Sequence, residues 1–157
     1  MKVSSNSMYA KRGDLQVETE GEFAGWRRWT RDGFESHAGP FYHRMDEEGR
    51  ITCAFRVARQ HLNGLRNVHG GCYMAFADYC LFASASPVLE GPGVTLSFSC
   101  EFLDAAREGE LVIGCCEITR AGRSIVFLRG TLKCGERPLF TFSGSLKRTK
   151  FHNLPLA

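Results

Sequence analysis

The sequence predicts an α+β domain in which a curled antiparallel β-sheet wraps around one long central helix. A stretch from Gly70 to Ala83 is apolar around nearly its whole circumference, which is typical of a buried helix. Residues 94–102 then alternate between apolar and polar side chains, as a β-strand does. Further strand-like runs follow, joined by connections so short that neighbouring strands must be antiparallel.

The elements before the helix are less regular. In residues 14–31, three aromatic side chains have the spacing of one helical face, namely Phe23, Trp26 and Trp29. Gly21 and Gly25 weaken that helix. Residues 41–45 and 50–58 flank a turn and predict a β-hairpin. The polar segment 59–69 predicts a loop that leads into the central helix, which we expect to end near Pro87.

After the helix, residues 94–102, 111–119, 124–133 and 138–146 predict a four-stranded meander. The apolar residues of its first strand are expected on one face: Val94, Leu96, Phe98, Cys100 and Phe102. We therefore expect one domain over residues 14–150, with a flexible N-terminal tail at 1–13 and a C-terminal tail at 151–157.

Composition excludes several classes of protein. The chain has 157 residues and a formal net charge of +3, and its basic and aromatic residues do not cluster as in nucleic-acid-binding modules. The first twenty residues lack a secretory h-region, and no apolar run of membrane-spanning length is evident. Seven cysteines without C-x-x-C spacing predict free thiols in a reducing cytoplasm. Five histidines without ligand spacing predict no metal site, and no cofactor is expected.

Asp78 is the exception within the apolar helix. Burying an ionised carboxylate costs several kcal/mol unless it is paired, and no Lys, Arg or His lies within four residues of it. One interpretation is a structural carboxylate bonded to a distant partner. The other is a catalytic carboxylate at the mouth of a dry cleft, placed to attack a substrate or to deprotonate water.

The segment His69-Gly70-Gly71 at the helix start is the second candidate feature. Glycines allow a ligand to approach the backbone, and the first N–H groups of a helix can stabilise a developing oxyanion. His69 is interpreted mainly as an anchor for the loop, with an acid–base role as the alternative. Asn63 lies six residues earlier, before Gly64, in what by itself is an ordinary turn dipeptide.

Together these residues have the spacing N-x5-H-G-G-x7-D. This pattern resembles the PaaI-like and 4-hydroxybenzoyl-CoA thioesterases of the hotdog-fold superfamily. The resemblance covers most of residues 40–148, including Gly93-Val94-Thr95 and the turn at 120–124. It implies an acyl-CoA thioesterase that acts on an aryl or medium-chain acyl group, in a homodimer or a dimer of dimers.

The resemblance also implies a role for each residue of the pattern. Gly70 matches the backbone donor that polarises the thioester carbonyl, and Asn63 matches the side chain that orients this carbonyl or the attacking water. Asp78 matches the nucleophile or general base, and it would face Asn63 and Gly70 of the other subunit. Thr95 matches a hydroxyl that steadies the carboxylate, although strand parity places it on the polar face with Ser97 and Ser99.

The coenzyme A phosphates require positive charge, which Arg120, Arg123 and Lys147 can supply. These three residues and Gly71 are the predicted substrate-binding residues. Two alternatives to the thioesterase stay open. A hotdog-fold dehydratase or hydratase would pair a histidine with an acid for proton transfer at carbon. A non-catalytic acyl-CoA-binding protein would have no use for Asp78.

Overall fold

A computed structural model describes residues 15–30 and 33–149, so both predicted tails and Asp14 lie outside the described residues. The strands are β1 Leu15–Val17, β2 Arg27–Trp29, β3 Tyr42–Met45, β4 Ile51–Arg56, β5 Gly93–Phe102, β6 Leu111–Ala121, β7 Ile125–Cys134 and β8 Arg137–Arg148. The helices are α1 Gly33–Ala38 and α2 Gly70–Leu89, with a 3-10 turn at Arg59–His61. The predicted α+β class is confirmed: one antiparallel sheet packs against one long helix.

The strand order is β1-β2-β3-β4-β6-β7-β8-β5. The four-stranded meander is therefore wrong in one respect, because β5 pairs with β8 instead of with β6. Strand β6 already has β4 and β7 as neighbours, so the connection after β5 must cross the end of the sheet. Backbone bonds along this connection, such as Val68 N–H to the Ala106 carbonyl at 2.8 Å, attach it to the loop before α2.

The helical interpretation of residues 14–31 is wrong. β1 and β2 form an antiparallel pair in which Leu15 lies opposite Trp29. Gly21 and Gly25 have φ values of 75° and 82°, a left-handed conformation that an α-helix cannot contain. Trp26 is buried while Phe23 stacks on Tyr42 at 4.1 Å. The aromatic spacing therefore reflects packing of a turn onto the sheet.

Helix α2 extends through Pro87 to Leu89, beyond its predicted end, because a proline in the last turn removes only one hydrogen bond. Its 20 residues make it long and apolar enough to cross a membrane, but 61% of its most apolar window is buried inside this domain. Arg148 donates to the carbonyls of Val88 and Leu89 at its C-terminal end. These contacts satisfy carbonyls that a helix end leaves open.

Candidate active site

One face of α2 is not covered by the sheet. Along the helix, Tyr73, Phe76, Ala77 and Cys80 are buried, whereas Gly71 and Met74 are exposed and Asp78 is half-buried. Gly70, Met74 and Asp78 are spaced four residues apart, so they follow one another along this face. The helix is therefore not buried on every side, and Asp78 lies on its open side.

The Asp78 carboxylate accepts a hydrogen bond from the Thr95 hydroxyl at 2.6 Å. Strand parity predicted that Thr95 would point away from the helix, and this is wrong because β5 contains a bulge. The register runs from Thr95 opposite Leu146 to Ser97 opposite Ser145, so Leu96 is an extra residue that reverses the alternation.

The bulge also corrects the apolar face of β5. Phe98, Cys100 and Phe102 face the helix as predicted, since they pair with Gly144, Phe142 and Phe140. Val94 and Leu96 do not, and they are 49% and 51% exposed. The inward-facing row of β5 therefore runs from Thr95 to Phe102 alongside α2.

Two contacts fix this row against the open face of the helix. Thr95 bonds to Asp78 at one end. At the other end the Phe102 ring lies against Gly70, where a Cβ atom would come within 3.0 Å of a ring carbon. Between these contacts the open face of α2 lies alongside the inner row of β5. We call this surface the half-groove and define it by Gly70, Met74, Asp78, Thr95, Phe98 and Phe102.

At the start of α2 the His69 ring accepts a hydrogen bond from the Gly71 N–H through Nδ1 at 2.9 Å. With Nδ1 as acceptor, the proton of a neutral ring is on Nε2. His69 is thus the N-cap, and its carbonyl accepts from the N–H groups of Cys72 and Tyr73 at 2.8 and 3.3 Å. Among the described residues, the Gly70 N–H is the donor of the first turn that remains without a partner.

Asn63 holds the loop that precedes the helix. Its side-chain oxygen accepts from the N–H groups of Leu65 and Asn67 at 2.9 and 3.2 Å. Because the oxygen is engaged, the amide can act outward only as a donor through its NH₂ group. This polarity suits a carbonyl or water oxygen as the ligand.

Cys72 is the thiol closest in sequence to this helix start, and burial raises its pKa to about 12. A thiol in that state is protonated at neutral pH and is a poor nucleophile. Asp78 therefore remains the candidate for attack or proton transfer in the half-groove. No group of His, Cys, Asp or Glu within residues 15–30 and 33–149 could hold a metal ion.

The predicted phosphate-binding residues lie near the opposite end of α2. Arg120 lies near the end of β6 and Arg123 in the β6–β7 turn; both are exposed, as is Lys147 on β8. This turn adjoins the helix end through Arg148, which contacts the Gly122 carbonyl at 3.4 Å and the Leu89 carbonyl at 2.7 Å. The structure thus places these cations far from Gly70 of the same chain.

A separate groove with a volume of about 690 Å³ lies on the other face of the sheet. Its lining includes Cys115, Thr131, Lys133 and Thr141. None of the predicted site residues lines it, so it is separate from the half-groove.

The model of the thioesterase superfamily matches residues 65–141, which include the helix start, Asp78 and Thr95. Over these 77 of its 157 residues, the chain resembles the thioesterase superfamily. Its fold is the hotdog fold, and thioester hydrolysis is its class of activity. A Pseudomonas aeruginosa protein that is provisionally named an esterase is 29% identical over 110 residues, covering 68% of this chain and 81% of that protein.

Solved structures agree with this fold. The PaaI protein from the E. coli phenylacetic acid degradation operon has a TM-score of 0.67 at 19% identity, covering 76% of this chain and 86% of that one. A hypothetical thioesterase of Streptococcus pneumoniae, solved with coenzyme A, has a TM-score of 0.60 at 21% identity, covering 72% and 88%.

Sequence reasoning missed two features of the half-groove. One is the β5 bulge, for which a run of Thr, Leu and Ser carries no local signal. The other is the contact between Phe102 and Gly70, which are far apart in sequence and meet only because β5 lies at the end of the sheet.

Proposed function

We propose that this protein hydrolyses acyl-CoA thioesters to a free acid and coenzyme A, with Asp78 and Gly70 from different subunits meeting at one thioester. The observation that carries the proposal is the 2.6 Å hydrogen bond from Thr95 to Asp78 on the open face of α2. This bond holds a carboxylate oxygen in place beside the apolar half-groove. The unpartnered N–H of Gly70 lies on the same face of the helix.

A single subunit cannot bring both groups to one carbonyl. Gly70 and Asp78 are eight residues apart in the helix, or about 12 Å along its axis at about 1.5 Å per residue. An attacking atom and an oxyanion donor must both lie within about 3 Å of the reacting group. The axial separation, more than the angle around the helix, therefore supports a site built from two antiparallel copies of α2.

The surfaces that a second copy would cover are present. β5 pairs with β8 on one side only and forms one edge of the sheet. Exposed strand edges favour pairing with another chain, and the apolar groove beside this edge includes Met74 and Phe102, which are 42% and 55% exposed. An isologous dimer through β5 would cover both features.

In this dimer, water attacks the thioester carbonyl carbon after Asp78 removes its proton, and the carbonyl oxygen becomes an oxyanion held by the Gly70 N–H of the partner subunit. Collapse breaks the carbon–sulfur bond and releases the coenzyme A thiolate, which takes up the proton. Direct attack by Asp78 would give an acyl anhydride that water then hydrolyses. The Asn63 NH₂ group would donate to the carbonyl or water oxygen in either route.

Coenzyme A binding is supported by the basic residues at the far end of α2. From Asp78 to Leu89 the helix rises about 16 Å. The pantetheine arm is comparable to an extended chain of four to five residues, about 14–18 Å at about 3.5 Å per residue. A thioester at Asp78 would thus place the phosphates near Arg120, Arg123 and Lys147. The apolar groove would take an aryl or medium-chain acyl group.

Two further aspects follow from the described residues. His69 caps the helix instead of pairing with Asp78, which favours a hydrolase over a dehydratase or hydratase. All seven cysteines are free thiols, which supports a reducing compartment such as the cytoplasm.

The proposal is tested by subunit complementation. Asp78→Asn and Asn63→Ala proteins, each inactive alone, are unfolded and refolded as a mixture. Each heterodimer then contains one site with both lesions and one site with neither. Random pairing makes half of the dimers mixed, so about a quarter of wild-type activity should return.

The control mixes Asp78→Asn with Asp78→Ala, where every site keeps a lesion and no activity should return. Activity that stays absent from the first mixture, although native mass spectrometry shows heterodimers, would mean that each chain carries its own complete site. Wild-type protein that releases no thiol from any acyl-CoA would refute the proposed reaction itself.

A further inference from the structure

The geometry points to Phe102 as a specificity-determining residue: its ring forms a rigid wall beside the Gly70 N–H and excludes acyl groups that are branched at the α-carbon. This inference rests on the proposed function. It adds the acyl class that the site accepts and the side chain that sets it.

The Phe102 ring packs against the helix start in space that a side chain at residue 70 would otherwise crowd. Two ring carbons lie 3.0 and 3.3 Å from the position of a Cβ atom on Gly70. The absence of a side chain at Gly70 thus has two effects: the backbone N–H stays accessible, and the Phe102 ring can pack against the helix start.

The ring is held firmly on one side and open on the other. Phe140 packs against it edge to face, with ring centroids 4.9 Å apart and an interplanar angle of 70°. Phe140 is fully buried and also contacts Tyr73 of α2. Phe102 itself remains 55% exposed. A large aromatic surface that stays open beside a candidate oxyanion donor is available for substrate contact.

A carbonyl oxygen that accepts from the Gly70 N–H would lie about 2.9 Å from that nitrogen. The two substituents of the carbonyl carbon, the sulfur and the acyl α-carbon, then point to opposite sides. In the chain that supplies Asp78, the cations that would hold coenzyme A lie about 16 Å beyond this residue along the helix. In the chain that supplies Gly70, the same cations lie almost a full helix length from the thioester. The sulfur therefore points toward the partner, and the α-carbon lies against Phe102.

An α-methyl group would be directed into this ring in one of its two stereochemical positions. The ring cannot retreat, because Phe140 and the helix confine it. Rejection of one extra methyl group in a confined pocket is worth about 10- to 200-fold in kcat/KM.

The test compares substrate pairs that differ only by an α-methyl group: octanoyl-CoA with 2-methyloctanoyl-CoA, and phenylacetyl-CoA with 2-phenylpropionyl-CoA. Each branched substrate is tested as separate enantiomers, and wild-type protein should prefer the unbranched member over the disfavoured enantiomer by about tenfold or more, in a pair that it hydrolyses. Phe102→Ala should reduce this ratio toward one, chiefly by raising kcat/KM for the branched member.

Phe127→Ala is the matched control, because Phe127 is 43% exposed on the other face of the sheet, where it pairs with Ser145. It should leave the ratio unchanged. Equal losses on both members of a pair in Phe102→Ala would indicate a structural role and overturn the inference, as would a wild-type ratio near one. Hydrolysis of neither pair would refute the proposed acyl class together with this inference, whereas an unchanged ratio in active protein refutes the inference alone.

Discussion

Replacing Thr95 with valine removes one hydroxyl and keeps the side-chain shape, so it tests the hydrogen bond to Asp78 directly. The bond is short, 2.6 Å, and its acceptor is a carboxylate. Hydrogen bonds to charged groups contribute about 1.5–3 kcal/mol, which corresponds to about 10- to 160-fold in rate. Thr95 is exposed in the single subunit, so water can partly replace the hydroxyl. We therefore expect a loss of about tenfold in kcat.

The assay follows thiol release from a saturating acyl-CoA. KM should change little, because Thr95 acts through the carboxylate and not on the substrate. Thr95→Ser keeps the hydroxyl and should retain most of the activity. Ser97→Ala is the control on the same strand, since Ser97 bonds to Ser145 at 2.7 Å on the opposite face. Valine and serine variants with equal, near-normal kcat would refute the positioning role of Thr95.

Three further changes test separate parts of the structure. Burial, with a smaller contribution from Arg27, lowers the pKa of His43 from 6.5 to about 4. Between these pH values the unfolded chain therefore binds more protons than the folded chain. The contribution of neutral His43 to the free energy of unfolding is complete above pH 6.5 and falls as the pH drops toward 4. At pH 5 this should cost about 2 kcal/mol in urea unfolding, and His43→Gln, which cannot titrate, should lack that part of the decrease; parallel pH curves would contradict it. Arg123→Ala should raise KM for acyl-CoA more than it lowers kcat, and should leave a truncated acyl thioester unaffected; equal losses on both substrates would assign Arg123 to folding. His69→Asn keeps an N-cap acceptor, so melting temperature and turnover should both persist, whereas His69→Ala should cost about 1 kcal/mol of stability; lost turnover in a stable asparagine variant would assign His69 an acid–base role.

The sequence alone determined the class of fold and the position of the helix start. A helix whose apolar residues cover most of its circumference must be wrapped by other elements, and the period of two after it requires strands. The spacing from Asn63 through His69-Gly70-Gly71 to Asp78 was sufficient to indicate the family, because these residues belong to one loop and one helix. Local geometry therefore fixes their relative positions.

Only the tertiary structure decided which side chains meet across the half-groove. The alternation in β5 predicted Thr95 on the wrong face, since one extra residue at Leu96 reverses every side chain before it. The pairing of β5 with β8, and with it the contact of Phe102 with Gly70, depends on strand order. Period and propensity report which residues are inside, but strand order and bulges result from packing between distant segments. That packing leaves no local pattern in the chain.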